Sequence, residues 1–564
     1  MFVRLHRQKQ RGKVYTSVQL CESYRDPAKG NAPRNRVLLN LGPLDKLGSD
    51  TLQKLGEGFL RAAQESRGSG GASGRGRGGK GATEEALALN AWDFGHVYAV
   101  SGVWDRLGLS EALQEAGLEG RSSFGASEMI RLLVVNRLCE PTSKWALLDW
   151  MEGVFGLGEA PPYHHLLRAM DRLLEGKEEV EQAVARRVVG EGKGTDLVFY
   201  DITSTYFEGD RSLNEEDDLR RYGYSRDGRR DRRQVVIGVV MTREGIPLCH
   251  HVFPGNTADK TTVAEVVRDL KRRFRPERVI FVGDRGMLTD ANLECLLTEE
   301  VGFIVAHPLR RNAVAREVIA KVWRRFDRKG DAEQFFEDVR QGVRFVVAYS
   351  PQIARETKEG RKERLAQADA WIRARLEALA RPAGRGRRPT PQSTYDRIRD
   401  YLRDKGLLRF YNLALSEAEG LQVSKDRKAL LWEAKIDGVL LVETTDLERT
   451  PEEIIGRYKE LAEIERGWRC LKSTVKVRPV YHWTERRIRA HIFVCVLALQ
   501  VERWMRNRLR PLGLSVPRAV SLLQRNKVVE LVVSATPTRV TTRPTREQAR
   551  ILRALGLPPI PKTL

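Results

Sequence analysis

The spacing of apolar residues changes several times along the chain. The stretches Val14–Leu20 and Arg36–Leu41 alternate apolar with polar positions and predict two strands around a Pro/Gly/Asn-rich turn. From about 85 to 192 the period lengthens to three and four, as in Met129-Ile130-Leu132-Leu133-Val134 and Leu166-Leu167-Met170-Leu173-Leu174, which predicts helices. Between about 196 and 306 strands dominate. Leu197–Tyr200 is an apolar run ending in polar Asp201, and Val235–Met241 and Ile246–Phe253 flank Glu244-Gly245 as a hairpin. A capping box, Thr262-x-x-Glu265, opens a helix to about Phe274. Strand 279–282, a helix near Asp290–Leu297 and strand Gly302–Ala306 follow. Three strands, a helix, a strand, a helix and a strand fit several α/β folds.

After Pro308 the regularity fades for about 130 residues. That stretch predicts one strand at Phe345–Tyr349, a charged helix over Gln352–Leu379, a basic Gly/Pro break at Arg381–Pro391 and more strand at Leu408–Leu415. Strong helical periodicity resumes at Ile454 and again at Thr484, and the tail beyond 516 mixes short strands with a last helix near Arg546. The segment 66–84 is rich in Gly, Ser and Arg and reads as a linker between a small β-rich region (1–65) and a helical, DNA-binding or packing domain (85–192).

Charge narrows the class. The chain of 564 residues is long enough for several domains and 41% hydrophobic, ordinary for a folded protein, but it carries a net charge of +23. Such an excess attracts polyanions, nucleic acid first among them, without conferring specificity. The six cysteines are scattered, with no C-x-x-C pair, which argues against a zinc ribbon or a disulfide framework. Charged residues interrupt any apolar run at the start, and the run Ile492–Val501 is too short to span a bilayer. The expectation is a soluble, cytoplasmic protein with no membrane partner.

Candidate chemistry rests on three acids. Asp201 ends or interrupts a buried strand, where an isolated carboxylate is costly unless paired or metal-bound. Asp284 closes a second strand between Gly283 and Gly286, small neighbours that admit a phosphate or metal. Either Asp alone reads more readily as a turn or cap residue. The helix over 454–472 supplies the third: Leu461, Ile464, Trp468 and Leu471 form an apolar stripe, and Tyr458, Glu465 and Lys472, seven residues apart, line its border.

The spacing Tyr458-x2-Leu461-x3-Glu465-x6-Lys472 resembles the Y-x2-R-x3-E-x6-K signature of bacterial insertion-sequence transposases of the DDE type. The resemblance extends to FYDITSTYFEG around Asp201, GYSRDGRRDRRQVVIGVVMTREGIPL, the turn FPGNTADKTT and the motif VGDRGM. Leu461 stands where the signature has Arg, so that the Arg's phosphate contact is absent or passes to Arg466 or Arg469.

This resemblance implies an α/β fold: a ribonuclease-H-like catalytic core in two parts (193–308 and 437–515), interrupted by an α+β insertion (309–436) and followed by a C-terminal region (516–564). It implies Asp201, Asp284 and Glu465 as catalytic residues and as ligands of two Mg²⁺ ions, with Mn²⁺ as a substitute, about 3.5–4 Å apart. All-carboxylate ligation suits such ions, which need neither His nor Cys. The implied DNA contacts are Tyr458, Lys472, Arg466 and Arg469; Arg478, His482, Arg489 and His491, on or before the next helix, read as further phosphate contacts or as ordinary helix-surface residues.

The implied reaction cleaves the ends of the element and joins the 3′-hydroxyl to target DNA. The implied partners are terminal inverted repeats, target DNA and a second copy of the chain in the synaptic complex, at the bacterial nucleoid. A nuclease of the same fold that does not join strands, and a DNA-binding descendant without activity, are the competing readings. Trp432 is expected in a core, with stacking on an unpaired base as the alternative.

Overall fold

The computed structural model describes residues 2–10, 13–26, 32–43 and 87–564, apart from the segments 120–123, 190–196, 209–218, 259–260, 275–279, 284–288, 311, 341, 382–388, 417–419 and 534–535. Asp284 and the linker 66–84 lie outside the described residues. The chain forms two compact units, 1–84 and 85–564.

The first unit is an antiparallel sheet of β1 (Phe2–Gln10), β2 (Lys13–Asp26) and β3 (Ala32–Pro43), in that order. The two strands expected from alternation are β2 and β3, both longer than the pattern indicated, and β1 was not foreseen.

The second unit opens with β4 (Leu87–Asp93). Six helices follow: α1 (Gly95–Arg106), α2 (Leu109–Glu115), α3 (Ala126–Cys139), α4 (Lys144–Glu152), α5 (Tyr163–Glu175) and α6 (Lys177–Val189). Next come β5 (Leu197–Tyr206), β6 (Gln234–Thr242), β7 (Pro247–Pro254), α7 (Val263–Phe274), β8 (Ile280–Gly283), α8 (Asp290–Thr298) and β9 (Gly302–Ala306), the succession expected from the sequence.

The stretch that looked irregular is largely regular. It holds α9 (Ala313–Val322), β10 (Gln334–Arg340), β11 (Val343–Tyr349), α10 (Pro351–Ala380), α11 (Pro391–Asp404), β12 (Tyr411–Ser416), β13 (Gly420–Lys425) and α12 (Arg427–Ile436). Then come β14 (Val439–Thr444), α13 (Pro451–Lys459), α14 (Leu461–Ser473), α15 (Glu485–Leu509), α16 (Val516–Leu523), β15 (Lys527–Val533), β16 (Thr536–Thr541) and α17 (Arg546–Ala554).

One mixed sheet of eight strands, in the order β10-β11-β14-β9-β8-β5-β6-β7, organises the unit. Its centre is parallel (β5 with β8, β8 with β9); on one side β6 runs antiparallel to β5, and β7, antiparallel to β6, returns to the direction of β5. β14 joins β9 antiparallel, and β11 and β10 extend that edge. Strands β10 and β11 of the irregular stretch therefore belong to the same sheet as Asp201. Only β12 and β13 pair apart from it.

Every residue of β6 is buried, so the strand shows no alternation: both faces of the sheet are covered. Gly238 in this strand leaves room for Tyr200, whose hydroxyl would lie 2.5 Å from a Cβ built there. The buried Tyr200 hydroxyl donates to Thr262 Oγ1 at 2.9 Å and ties β5 to the start of α7. Gly245, with φ +74°, turns β6 into β7, a conformation L side chains avoid.

The long helix α15 is the axis of the helical side. The apolar run Ile492–Val501 is wholly buried, and Phe493, Leu497, Leu499 and Val501 share one core with α1, α3 and α5. Among the described residues no helix is long and apolar enough to cross a membrane. The C-terminal strand β15 pairs antiparallel with β4, so the two ends of this unit close a three-stranded sheet together.

Candidate active site

The helical segment that leads to Glu465 starts earlier than its apolar stripe suggested. Thr450 caps α13 reciprocally with Glu453, its hydroxyl accepting from the Glu453 N–H at 3.3 Å while the Glu453 carboxylate accepts from the Thr450 N–H at 2.9 Å. Pro451 occupies the first turn, where its missing N–H costs nothing. The expected continuous helix is two helices that meet at Glu460. Its N–H is shared between the carbonyls of Gly456 and Arg457, both at 3.2 Å, and its carboxylate holds Arg243 of the β6–β7 turn at 2.6 Å. Tyr458 therefore sits on α13, half-buried against the main core, while Glu465 and Lys472 sit on α14.

Viewed down α14 at about 100° per residue, two faces separate. Leu461, Trp468 and Leu471 are buried towards the sheet. Ala462, Arg466, Arg469 and Ser473 line a cavity of about 1140 Å³ together with Arg243, Lys459, Arg506 and Arg510. Glu465 is exposed and stands between these faces.

Trp468, one turn beyond Glu465, fixes the helix to the strand that carries Asp201. Its Nε1–H donates to Asp201 Oδ2 at 2.8 Å, and the Ile202 N–H donates to Oδ1 at 2.7 Å. Asp201 is half-buried in β5 opposite Val239 of β6. A carboxylate offers about four acceptor sites, so these two bonds do not by themselves exhaust it. The sequence placed Trp468 only in an apolar stripe; the indole N–H, the polar end of that side chain, was the signal that went unread.

Lys472 Nζ donates to Asp227 Oδ1 at 2.8 Å, and Arg478 pairs with the other oxygen of the same carboxylate. Burial lowers the Lys472 ammonium below its usual range, and Asp227 opposes that shift. Asp227 belongs to the β5–β6 connection, which carries seven arginines and two aspartates over 220–233. The guanidinium carbons of Arg229 and Arg478 lie 5.3 and 5.5 Å from the centre of the Tyr206 ring at the end of β5. Asp227 and Tyr206 were not singled out from the sequence.

The remaining candidates are dispersed. Arg489 pairs with Glu485 at 2.7 Å and donates to the Val252 carbonyl at 2.7 Å. His491 is buried against Lys144 and the Val477 carbonyl, away from any surface phosphate, and burial first, then Lys144, hold it well below its usual pKa. His482 is pushed down to about 3, chiefly by burial. Trp432 is half-buried, donating to the Leu309 carbonyl at 3.2 Å.

Elsewhere among the described residues, Cys249, His251 and Asp269 offer ligand atoms within 4.8 Å of one another. Asp269 there is already engaged by Arg272 and Arg273.

Residues 193–501, more than half of the chain and spanning both Asp201 and α14, match the transposase DDE domain. The chain belongs to the DDE transposase family. Residues 3–69 match the N-terminal domain of the IS1634 family of transposases, which accounts for the separate β unit of this insertion-sequence transposase. No curated protein matches the chain. Transposases of this family act on DNA and generally use divalent metal ions. The basic excess of this transposase therefore has a polyanionic partner, DNA.

Proposed function

We propose that this transposase cleaves the ends of its insertion sequence and joins the freed 3′-hydroxyl to target DNA by Mg²⁺-dependent phosphodiester transfer, with Asp201, Asp284 and Glu465 as the catalytic carboxylates. The observation that carries the proposal is the Trp468–Asp201 hydrogen bond, which ties the glutamate helix to the central strand across 267 positions of sequence. The strand order β7-β6-β5-β8-β9, with only β6 antiparallel to the rest, supports a ribonuclease-H-like core over 193–308 and 437–515. On this reading the segment 309–436 is an insertion whose β10 and β11 widen the core sheet.

The donor set fits magnesium: Asp201 and Glu465 offer carboxylate oxygens, the hard donors such an ion takes. Held by the three carboxylates, a pair of such ions supplies activation of the attacking hydroxyl and charge neutralisation at the departing oxygen. The chain's own part is positional. Trp468 and the Ile202 N–H orient the Asp201 carboxylate, and the half-buried, ion-paired Lys472 and Arg478 place two cations at the far end of α14 to receive phosphate. Arg466 and Arg469, with Tyr458 on the preceding helix, extend the DNA contacts, and Arg489 adds one after its pairing with Glu485 opens. Two transposase chains bring two ends together.

The test is incubation of the purified chain with a duplex carrying the DNA that flanks its gene, with and without Mg²⁺. Nicking followed by joined products is expected, and both vanish in Asp201→Ala and Glu465→Gln while duplex binding stays within a few-fold. Cleavage without joined products would replace the proposal by a nuclease; joining by Asp201→Ala would remove Asp201 from it.

A further inference from the structure

Resting on the DNA-processing reading, we infer that residues 219–233, the part of the β5–β6 connection that leads into β6, and the loop after α14 form a stacking surface for unpaired nucleotides. The exposed aromatic side chains among the described residues are Trp145, Tyr222, Tyr224, Tyr481 and Trp483. All but Trp145, which packs edge-on against Tyr163, lie in these two loops.

The loops adjoin. Phe207 bridges to Val480, Asp227 pairs with Arg478, and the Arg220 guanidinium lies 5.2 Å from the centre of the Trp483 ring. Tyr224 is 74% exposed and Tyr481 64%, values at which large aromatic rings lose most of the benefit of burial.

The backbone beneath these rings is held. Arg221 and Gln234 exchange two backbone hydrogen bonds at 3.1 and 2.9 Å, and Gln234 Nε2 donates to the carbonyls of Tyr224 at 3.0 Å and Gly255 at 2.8 Å. Ser204 Oγ accepts from the Arg226 N–H at 3.2 Å, and Ser225 Oγ accepts from the N–H groups of Asp227 and Arg229 at 3.3 and 3.1 Å. Aromatic rings projected from a loop fixed in this way are presented at little further entropic cost.

The occupant follows from charge and ring chemistry together. Seven arginines against two aspartates over 220–233 favour a phosphate backbone. Intact duplex hides its base faces within the stack, so exposed rings among arginines suit single-stranded DNA, whose bases stack on aromatic side chains whatever their sequence. Strands separated at a DNA end during processing supply such bases beside the core strand β5.

The experiment measures binding of the full chain to a fluorescein-labelled oligothymidine and to a blunt duplex of equal length. Tyr224→Ala is expected to weaken oligothymidine binding by roughly tenfold, the loss of one stacked base. Tyr224→Phe retains binding, Trp145→Ala changes nothing, and duplex binding is the same throughout. Equal losses on both DNAs, no loss on either, or a change in oligomeric state in Tyr224→Ala would overturn the inference. The last outcome would assign the patch to contact between copies. Cleavage of end DNA, measured on the same proteins, reports separately on the transposase reading, so either can fail alone.

Discussion

Replacing Trp468 by Phe removes one N–H and leaves an aromatic body in the same place. In the folded chain that N–H reaches Asp201 Oδ2 at 2.8 Å from a side chain only 6% exposed, so water cannot substitute for it in full. A hydrogen bond to a charged acceptor contributes about 1.5–3 kcal/mol. Since about 1.4 kcal/mol is tenfold, local opening of α14 becomes roughly ten- to a hundredfold more frequent. Native-state hydrogen exchange read by mass spectrometry over 461–473 measures that opening directly, without requiring the whole chain to unfold in one step. Asp201→Ala, and the double variant, complete a cycle. The two changes are expected to be strongly non-additive, because each removes the same bond. Cleavage by Trp468→Phe is expected to fall and to need more Mg²⁺, since the carboxylate loses an orienting donor. Wild-type exchange over 461–473 with an unchanged Mg²⁺ profile would refute the reasoning, for the helix would then be held to β5 by packing alone.

Gly238→Ala places a methyl group 2.5 Å from the Tyr200 hydroxyl in a strand buried on both faces, and is expected to destabilise by about 1–3 kcal/mol or more, read as a lower thermal midpoint. Asp227→Ala leaves Lys472 and Arg478 without their shared carboxylate; limited proteolysis is expected to cut within 219–233 several times faster than in the wild type, and an unchanged cutting rate would deny the pair a holding role. Stability should also fall in mild acid. Burial, reinforced by Lys177 and opposed by Glu181, pushes the His250 imidazole down to about 4 from an ordinary 6.5. The unfolded chain then binds the extra proton between those values, so stability is full above about pH 6.5, declines as pH falls towards 4 and levels off below; for His250 alone the loss is on the order of 3 kcal/mol. Burial raises the Glu181 carboxyl, but Lys177, His250 and Arg273 together hold it well below its usual range, which adds a further loss below about pH 4.5. Denaturation midpoints measured across this window check the sign, and a flat profile would contradict it.

What the sequence alone determined is mostly local. The β-β-β-α-β-α-β succession, the hairpin turn at Gly245 and the buried α15 follow from periods of two and of three to four, from a residue able to adopt positive φ, and from an apolar run too short for a bilayer. The family was legible because motif spacing survives in the linear text even where the chain passes from α13 to α14: Tyr458, Glu465 and Lys472 can be counted without any coordinates. The stretch 309–436 looked irregular because β10 reads QFFEDVR, with its two phenylalanines adjacent and its Val339 exposed, so its apolar residues do not alternate. Its place as the sheet's outer strand depends on its neighbour β11 pairing with β14, as Arg344 does with Thr444, and β4 with β15 is a pairing across more than four hundred residues. Hydrogen-bond partners so far apart leave no period to read. Tertiary structure alone turned Trp468 from a core residue into the donor to Asp201. It also joined Lys472 and Arg478 through Asp227, placed His491 in the interior and gathered the exposed aromatics of two distant loops. Each of those outcomes depends on which groups burial deprives of water, and that is decided only when distant elements pack.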